Sequence, residues 1–258
     1  MFEGKGRPLT DDGLTRARRA LGVDLATLWA VMTVETRGCG FLPSRRPVIL
    51  FERHIFHRIT DGRFDARAPD LSNPRAGGYG AGGEAQHERL ARALALDRRA
   101  ALESTSWGLG QVMGFNARAA GYRSVETMVR AMTLGENSQL KAMIGFIRNN
   151  GLAVLLKRRD WKEFARLYNG ADYQRNKYDE RLALAHARYA AGPLPGLSVR
   201  AAQMYLSFLG YSPGVVDGWF GTNTQRAVQQ FQQAQGLAVT GRLDAATLAA
   251  LARAARST

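Results

Sequence analysis

Apolar residues recur at helical spacing through most of the first 190 positions. Leu25, Leu28, Trp29 and Met32 form one such stripe, and Glu35 continues it three residues past Met32. The spacing predicts an amphipathic helix over 24–35 with a carboxyl group where a core residue belongs. Gly38 and Gly40 follow at once, so the helix stops and the acid lies at the edge of a turn. Similar periodicity predicts helices over 10–21, closed by Gly22, and near 84–101, 124–134, 136–149, 161–168 and 178–189. Only 47–51 reads as strand. Rich in Gly, Pro, Asp and Asn, 61–83 is a long loop of the kind that shapes a site or is simply mobile.

The helical pattern ends at 192–196, where Pro193 and Pro195 lie between two glycines; this predicts a linker and two domains, 1–192 and 193–258. Beyond it Val216, Gly218, Phe220 and Thr224 recur as Val239, Gly241, Leu243 and Thr247, a constant offset of 23 residues. Each copy turns at its glycine and then starts a helix, with a Thr222/Gln225 capping box in the first and an Asp244 N-cap in the second. Val199, Ala202, Leu206 and Leu209, then Val228 and Phe231, then Leu248 and Leu251 would face one another in a three-helix unit. The fold class is therefore mainly α with a small β element.

Composition adds a globular chain with 45% apolar residues and a net charge of +14. The charge implies an anionic envelope, lipid or nucleic acid nearby. Residues 193–258 hold five Arg and two Asp, a net of +3, which leaves +11 on 1–192 with no compact basic run, so no specific nucleic-acid partner is expected. Cys39 is the only cysteine, which rules out an intrachain disulfide and reads as a packed side chain. The first 14 residues lack the apolar core of a signal peptide, and no run is long enough to span a membrane.

Burial disfavours the charged form of a carboxyl group, so Glu35 should hold its proton toward neutral pH and be able to donate it to a leaving group. Glycoside-cleaving acids are made this way. Glu52 is a second carboxylate that shares a strand face with Val48 and Leu50; it would hold a water or stabilise an oxocarbenium-like transition state, or else pair with Arg53, Arg46 or His54. Gly78, Gly80 and Gly83 match a dinucleotide fingerprint in spacing, but no strand precedes them. His54 and His57 lack a third ligand, so no metal is expected.

VDGWFGTNTQRAVQQFQ (216–232) and TGRLDAATL (240–248) resemble the peptidoglycan-binding domain family of three-helix cell-wall modules. The resemblance implies a wall-targeting function, with Phe220, Val228 and Phe231 in the core and Trp219, beside a turn, as the wall contact. VETRGCGF (34–41), ILFERHIF (49–56), SWGLGQVMG (106–114) and YNGADY (168–173) resemble the N-acetylmuramidase domain of phage endolysins, a branch of the lysozyme superfamily. This likeness implies a lysozyme-like helical domain cleaving the bond between N-acetylmuramic acid and N-acetylglucosamine, without cofactor. Glu35 is then the general acid and Glu52 the second catalytic carboxylate. Ser106, Trp107, Gln111, Tyr168 and Asn169 become substrate contacts, the glycines of the third motif admitting sugar close to the backbone. The implied enzyme is a monomer whose partner is bacterial peptidoglycan, made in the host cytoplasm without a signal peptide and reaching the wall after a separate protein permeabilises the membrane. Two alternatives stay open from sequence: a lytic transglycosylase giving anhydro products, and a non-catalytic wall-binding virion protein.

Overall fold

Thr10 caps the first helix by accepting from the Gly13 N–H at 3.1 Å, and α1 (Asp11–Leu21) runs until Gly22 turns left-handed at φ 66°. The computed structural model is described for residues 1–36 and 38–257, with the side chains of 171–173 and 257 set aside. Arg37, Asp172 and Tyr173 of the quoted motifs therefore lie outside the described residues or side chains. Asp24 caps α2 (Leu25–Glu35), whose environment differs from the expected amphipathic one. Residues 26–32 and Val34 are all buried, so α2 is a central rod enclosed on nearly every side, and Glu35 is its polar end.

The chain then enters β1 (Ile49–Phe51) and α3 (Arg53–Ile59), and crosses the 61–83 loop to α4 (Glu84–Leu96) and α5 (Arg98–Glu103). The single helix expected near 84–101 is two, because Asp97 leaves helical geometry and caps α5 through the Ala100 N–H at 2.9 Å. Two strands that the pattern did not announce, β2 (Thr105–Trp107) and β3 (Val112–Met113), join β1 in an antiparallel sheet of order β1-β2-β3, with Ile49 opposite Trp107 and Trp107 opposite Val112. Next come α6 (Val125–Met132), α7 (Glu136–Asn149), α8 (Ala153–Arg158), α9 (Trp161–Asn169) and α10 (Tyr178–Ala191). One core runs through all of these, and Tyr189 on α10 meets Thr33 on α2, hydroxyl to hydroxyl, at 2.8 Å.

Three more helices, α11 (Leu197–Phe208), α12 (Thr222–Ala234) and α13 (Ala245–Ser257), enclose a second core of Ala202, Leu206, Val228, Phe231 and Leu251. The repeat has a physical basis in two buried glutamines. Gln203 Oε1 accepts from the N–H groups of Asp217 and Gly218, while its Nε2 donates to the Trp219 carbonyl and the Thr224 hydroxyl. One repeat later, Gln232 accepts from Gly241 N–H and donates to the Arg242 carbonyl and the Thr247 hydroxyl. Each turn is thus clamped onto the preceding helix, which fixes its spacing to the next. Asp244 caps α13 as expected, accepting from Thr247 N–H at 2.7 Å; the Thr222/Gln225 capping box does not form, and Gly221 is the cap of α12.

The 192–196 stretch joins two bodies that touch. Met204 and Val216, with Phe208 beside them, pack on Phe41 and Cys39, and Arg45 donates to the Ala255 carbonyl at 2.5 Å. Burial pushes the Cys39 thiol far above its ordinary range, so it is inert packing.

Candidate active site

Glu35 is half-buried at the C-terminal end of α2, where the helix carbonyls already disfavour negative charge. Asn169 Nδ2, at the end of α9, donates to its Oε2 at 3.0 Å. Oε1 is buried and has no hydrogen-bond partner among the described residues. Desolvation raises the pKa to about 7, against the opposing pull of Asn169 and of the Arg181 guanidinium on α10. A carboxyl group so placed is substantially protonated near neutral pH and can deliver a proton. Arg181, which also donates to the Val34 carbonyl at 3.4 Å, was missed in the sequence; nothing in the periodicity of α10 singles it out.

The turn between β2 and β3 lies close by, because Tyr168, adjacent to Asn169, donates its hydroxyl to the Gly110 carbonyl at 2.8 Å. The Tyr168 ring stacks on Phe164 and meets Phe146 edge-on, so it braces the turn more than it offers a face to sugar. Gln111 also has internal work. Its Nε2 donates to the Gly108 carbonyl at 2.8 Å and to the Val48 carbonyl at 3.3 Å, and its Oε1 accepts from Ser106 Oγ at 2.8 Å. Both ends of the amide are engaged, and its backbone is left-handed at φ 44°. Ser106 and Gln111 together lock the turn. Trp107, expected on the substrate, is corrected: it is fully buried, its indole N–H bonds the Leu102 carbonyl at 3.3 Å, and Phe2 packs edge-on against it. The turn glycines also differ from expectation. Gly108 is left-handed with Gln139 lying against it, and a Cβ on Gly110 would strike Met143, so packing rather than sugar demands them.

Glu52 leaves β1 and forms the N-cap of α3 instead of continuing a strand face, with its N–H bonded to the Ser104 carbonyl at 2.9 Å. In the strand register it sits beyond Phe51, at the opposite end of β1 from the Gln111 turn. Its Oε2 and His54 Nδ1 are 3.2 Å apart, an electrostatic contact in which neither atom has hydrogen-bond geometry. Burial raises its pKa, opposed by His54, by a hydrogen bond from Tyr79 and by Arg89. Tyr79 comes from the 61–83 loop, so that loop helps build this site; a tyrosine flanked by Gly78 and Gly80 was the available signal. His57 pairs with Asp65 at 2.8 Å. The two carboxyl groups thus answer to separate surroundings.

Around the first turn of the C-terminal repeat, one of the aromatic expectations fails. Trp219 is half-buried against the large core with the Arg188 guanidinium of α10 5.2 Å over its ring, so part of the ring is covered from the catalytic side. Phe220, expected in the core, is 43% exposed, whereas Val228 and Phe231 are buried as expected.

A family model for N-acetylmuramidases matches residues 24–190, well over half of the chain. The chain belongs to the N-acetylmuramidase family. A peptidoglycan binding domain model matches residues 195–251 of this muramidase. Among solved structures, the crystal structure of Burkholderia AP3 phage endolysin is 45% identical, with a TM-score of 0.67 over 72% of this chain and 72% of that one. No curated protein matches. The muramidase is a cell-wall glycoside hydrolase of the endolysin kind, with peptidoglycan as its partner.

Proposed function

We propose that Glu35 is the general acid with which this muramidase protonates the leaving oxygen of the bond between N-acetylmuramic acid and N-acetylglucosamine. The observation that carries this is the half-buried carboxyl group with one orphaned oxygen and a pKa raised to about 7. Asn169 orients it through Oε2, and Tyr168 holds the neighbouring turn. Glu52 is the second carboxylate, holding a water or balancing positive charge at the anomeric carbon; its burial beside Tyr79 supports a functional use. Residues 1–192 are the catalytic domain and 193–258 the wall-binding domain, with Phe220 as its exposed aromatic. The enzyme works as a monomer and reaches the wall from the host interior through a membrane that another protein has opened, a reading supported by the endolysin likeness. Among the described residues, no helix is long and apolar enough to cross a membrane.

Mass spectrometry of digested peptidoglycan tests the chemistry. Wild type should leave muramic acid reducing ends; anhydro ends, lighter by one water, would mean transglycosylation. Glu35→Gln keeps the shape and cannot donate the proton, so kcat should fall about 100-fold to 10,000-fold. Full activity in that variant would remove Glu35 from the chemistry.

A further inference from the structure

The turn that leaves Glu35 is held from three directions. Gly40 N–H donates to Glu136 Oε1 at 3.1 Å, and the Gly40 carbonyl accepts from Gln139 Nε2 at 3.1 Å. Gln139 also accepts, through Oε1, the Leu109 N–H at 2.8 Å, and Leu109 belongs to the β2–β3 turn whose Gly110 carbonyl is held by Tyr168, the neighbour of Asn169. Glu136 and Gln139, three residues apart, lie on the same face of the first turn of α7, so one helix start holds both the Gly40 turn and the β2–β3 turn. A side chain at Gly40 or Gly108 would overlap Gln139, which shows how closely the three approach.

Glu136 is 0% exposed, and its charge is balanced from outside this framework. Arg200 on α11 donates to Glu136 Oε1 at 2.5 Å, to the Gly38 carbonyl at 2.5 Å and to the Val216 carbonyl at 2.7 Å. The guanidinium is 3% exposed and is the cation of this ion pair, while the second carboxylate oxygen accepts Leu9 N–H at 3.1 Å. Val215 and Val216 close over Gly38 from the same side. Nothing in wall binding requires an arginine of the C-terminal helices to reach under the catalytic turn.

We propose that Arg200 is a positioning residue of the muramidase: by neutralising Glu136 and holding Gly38, the C-terminal helices set the turn that carries Glu35, and so act as an intramolecular activator of catalysis as well as a wall anchor. The proposal rests on Glu35 being the acid. A removed guanidinium leaves Glu136 buried without its countercharge, and the Gly38–Gly40 backbone loses its support. Substrate contacts stay in place while the acid drifts, so the effect falls on kcat and spares KM.

The test uses the full chain on short, soluble, uncrosslinked glycan strands, for which wall anchoring is irrelevant. Arg200→Met should lower kcat about 10-fold to 100-fold with KM nearly unchanged, since small misplacements of a reacting group cost rates of this order. Binding to purified sacculi in a pull-down should persist. Because the single variant loses a buried ion pair, Arg200→Met/Glu136→Gln, which removes both charges, should regain thermal stability without regaining kcat. Wild-type kcat in either folded variant, or a rise in KM with kcat unchanged, would overturn the proposal. Glu35→Gln is the floor of the same assay: activity there would defeat the reading of Glu35 itself, while an inactive Glu35→Gln beside a fully active Arg200→Met would defeat only the role of Arg200.

Discussion

Glu35 and Glu136 flank the same turn, are both withdrawn from water, and do opposite things. Glu136 starts α7, where the helix dipole favours a negative charge, and it receives two backbone N–H groups and a guanidinium. Glu35 ends α2, where the dipole opposes the charge, and it receives one amide N–H, with an oxygen left over. Donor count and helix polarity, not burial, separate a structural carboxylate from a reactive one. The buried ion pair thereby supports a neighbour that works only because it lacks one.

Making Glu136 resemble Glu35 gives the largest expected stability effect. Arg200→Met strands a buried carboxylate and should cost roughly 3–5 kcal/mol, read as a fall in denaturant midpoint. A loss within about 0.5 kcal/mol would mean that Glu136 does not depend on the guanidinium, and the contrast between the two glutamates would collapse.

Glu35 should carry a stability cost of the opposite kind. Its folded pKa of about 7 lies above the ordinary glutamate value of 4.5, so the unfolded chain ionises first as pH rises. Stability is therefore full below about 4.5, declines between there and about 7, and levels off above. Glu35→Gln removes the titrating group and should be more stable than wild type by up to about 3 kcal/mol at pH 8, the gain vanishing near pH 4. A gain independent of pH would show that the ionisation is not its origin. The same titration sets activity, which should decline as pH rises through about 7 because the acid form is the working one.

How far these roles could be read from sequence follows from where each signal lies. Local signals were legible: the Asp244 cap, Gly22, and α7 read from 136 to 149. The position of Glu35 at a helix end beside glycines was legible for the same reason. The strands β2 and β3 were not, being three and two residues long and separated by a glycine turn without alternation. Apolar spacing in α2 missed that Ala26, Thr27, Ala30 and Val31 are also buried, since small residues carry little periodic signal. Nothing local marks Glu136 beyond its place at a helix start, because its partner Arg200 is 64 residues away. The half-burial of Trp219 was not legible because its contact with Arg188 on α10 is long-range.

Gln111 sharpens the Glu35 side of the contrast by asking what holds its wall. With both ends of its amide engaged and φ at 44°, Gln111→Ala should lower stability by about 1–2 kcal/mol and impair kcat through the turn rather than through binding. Unchanged stability with a raised KM would instead make it a substrate contact.

The smallest effect is expected at Asn169. Its amide donates to Glu35 and favours the charged form, so Asn169→Ala should raise the pKa of the acid further and move the alkaline limb of kcat/KM to higher pH. Stability should hold within about 1 kcal/mol, because the variant removes one neutral hydrogen bond together with Oδ1, an acceptor that is itself buried and unpartnered. The direction of the limb is what discriminates. A limb displaced to lower pH would mean that the amide stabilises the protonated acid, turning its carbonyl rather than its N–H toward Glu35, and the single donor that separates Glu35 from Glu136 would disappear from the comparison.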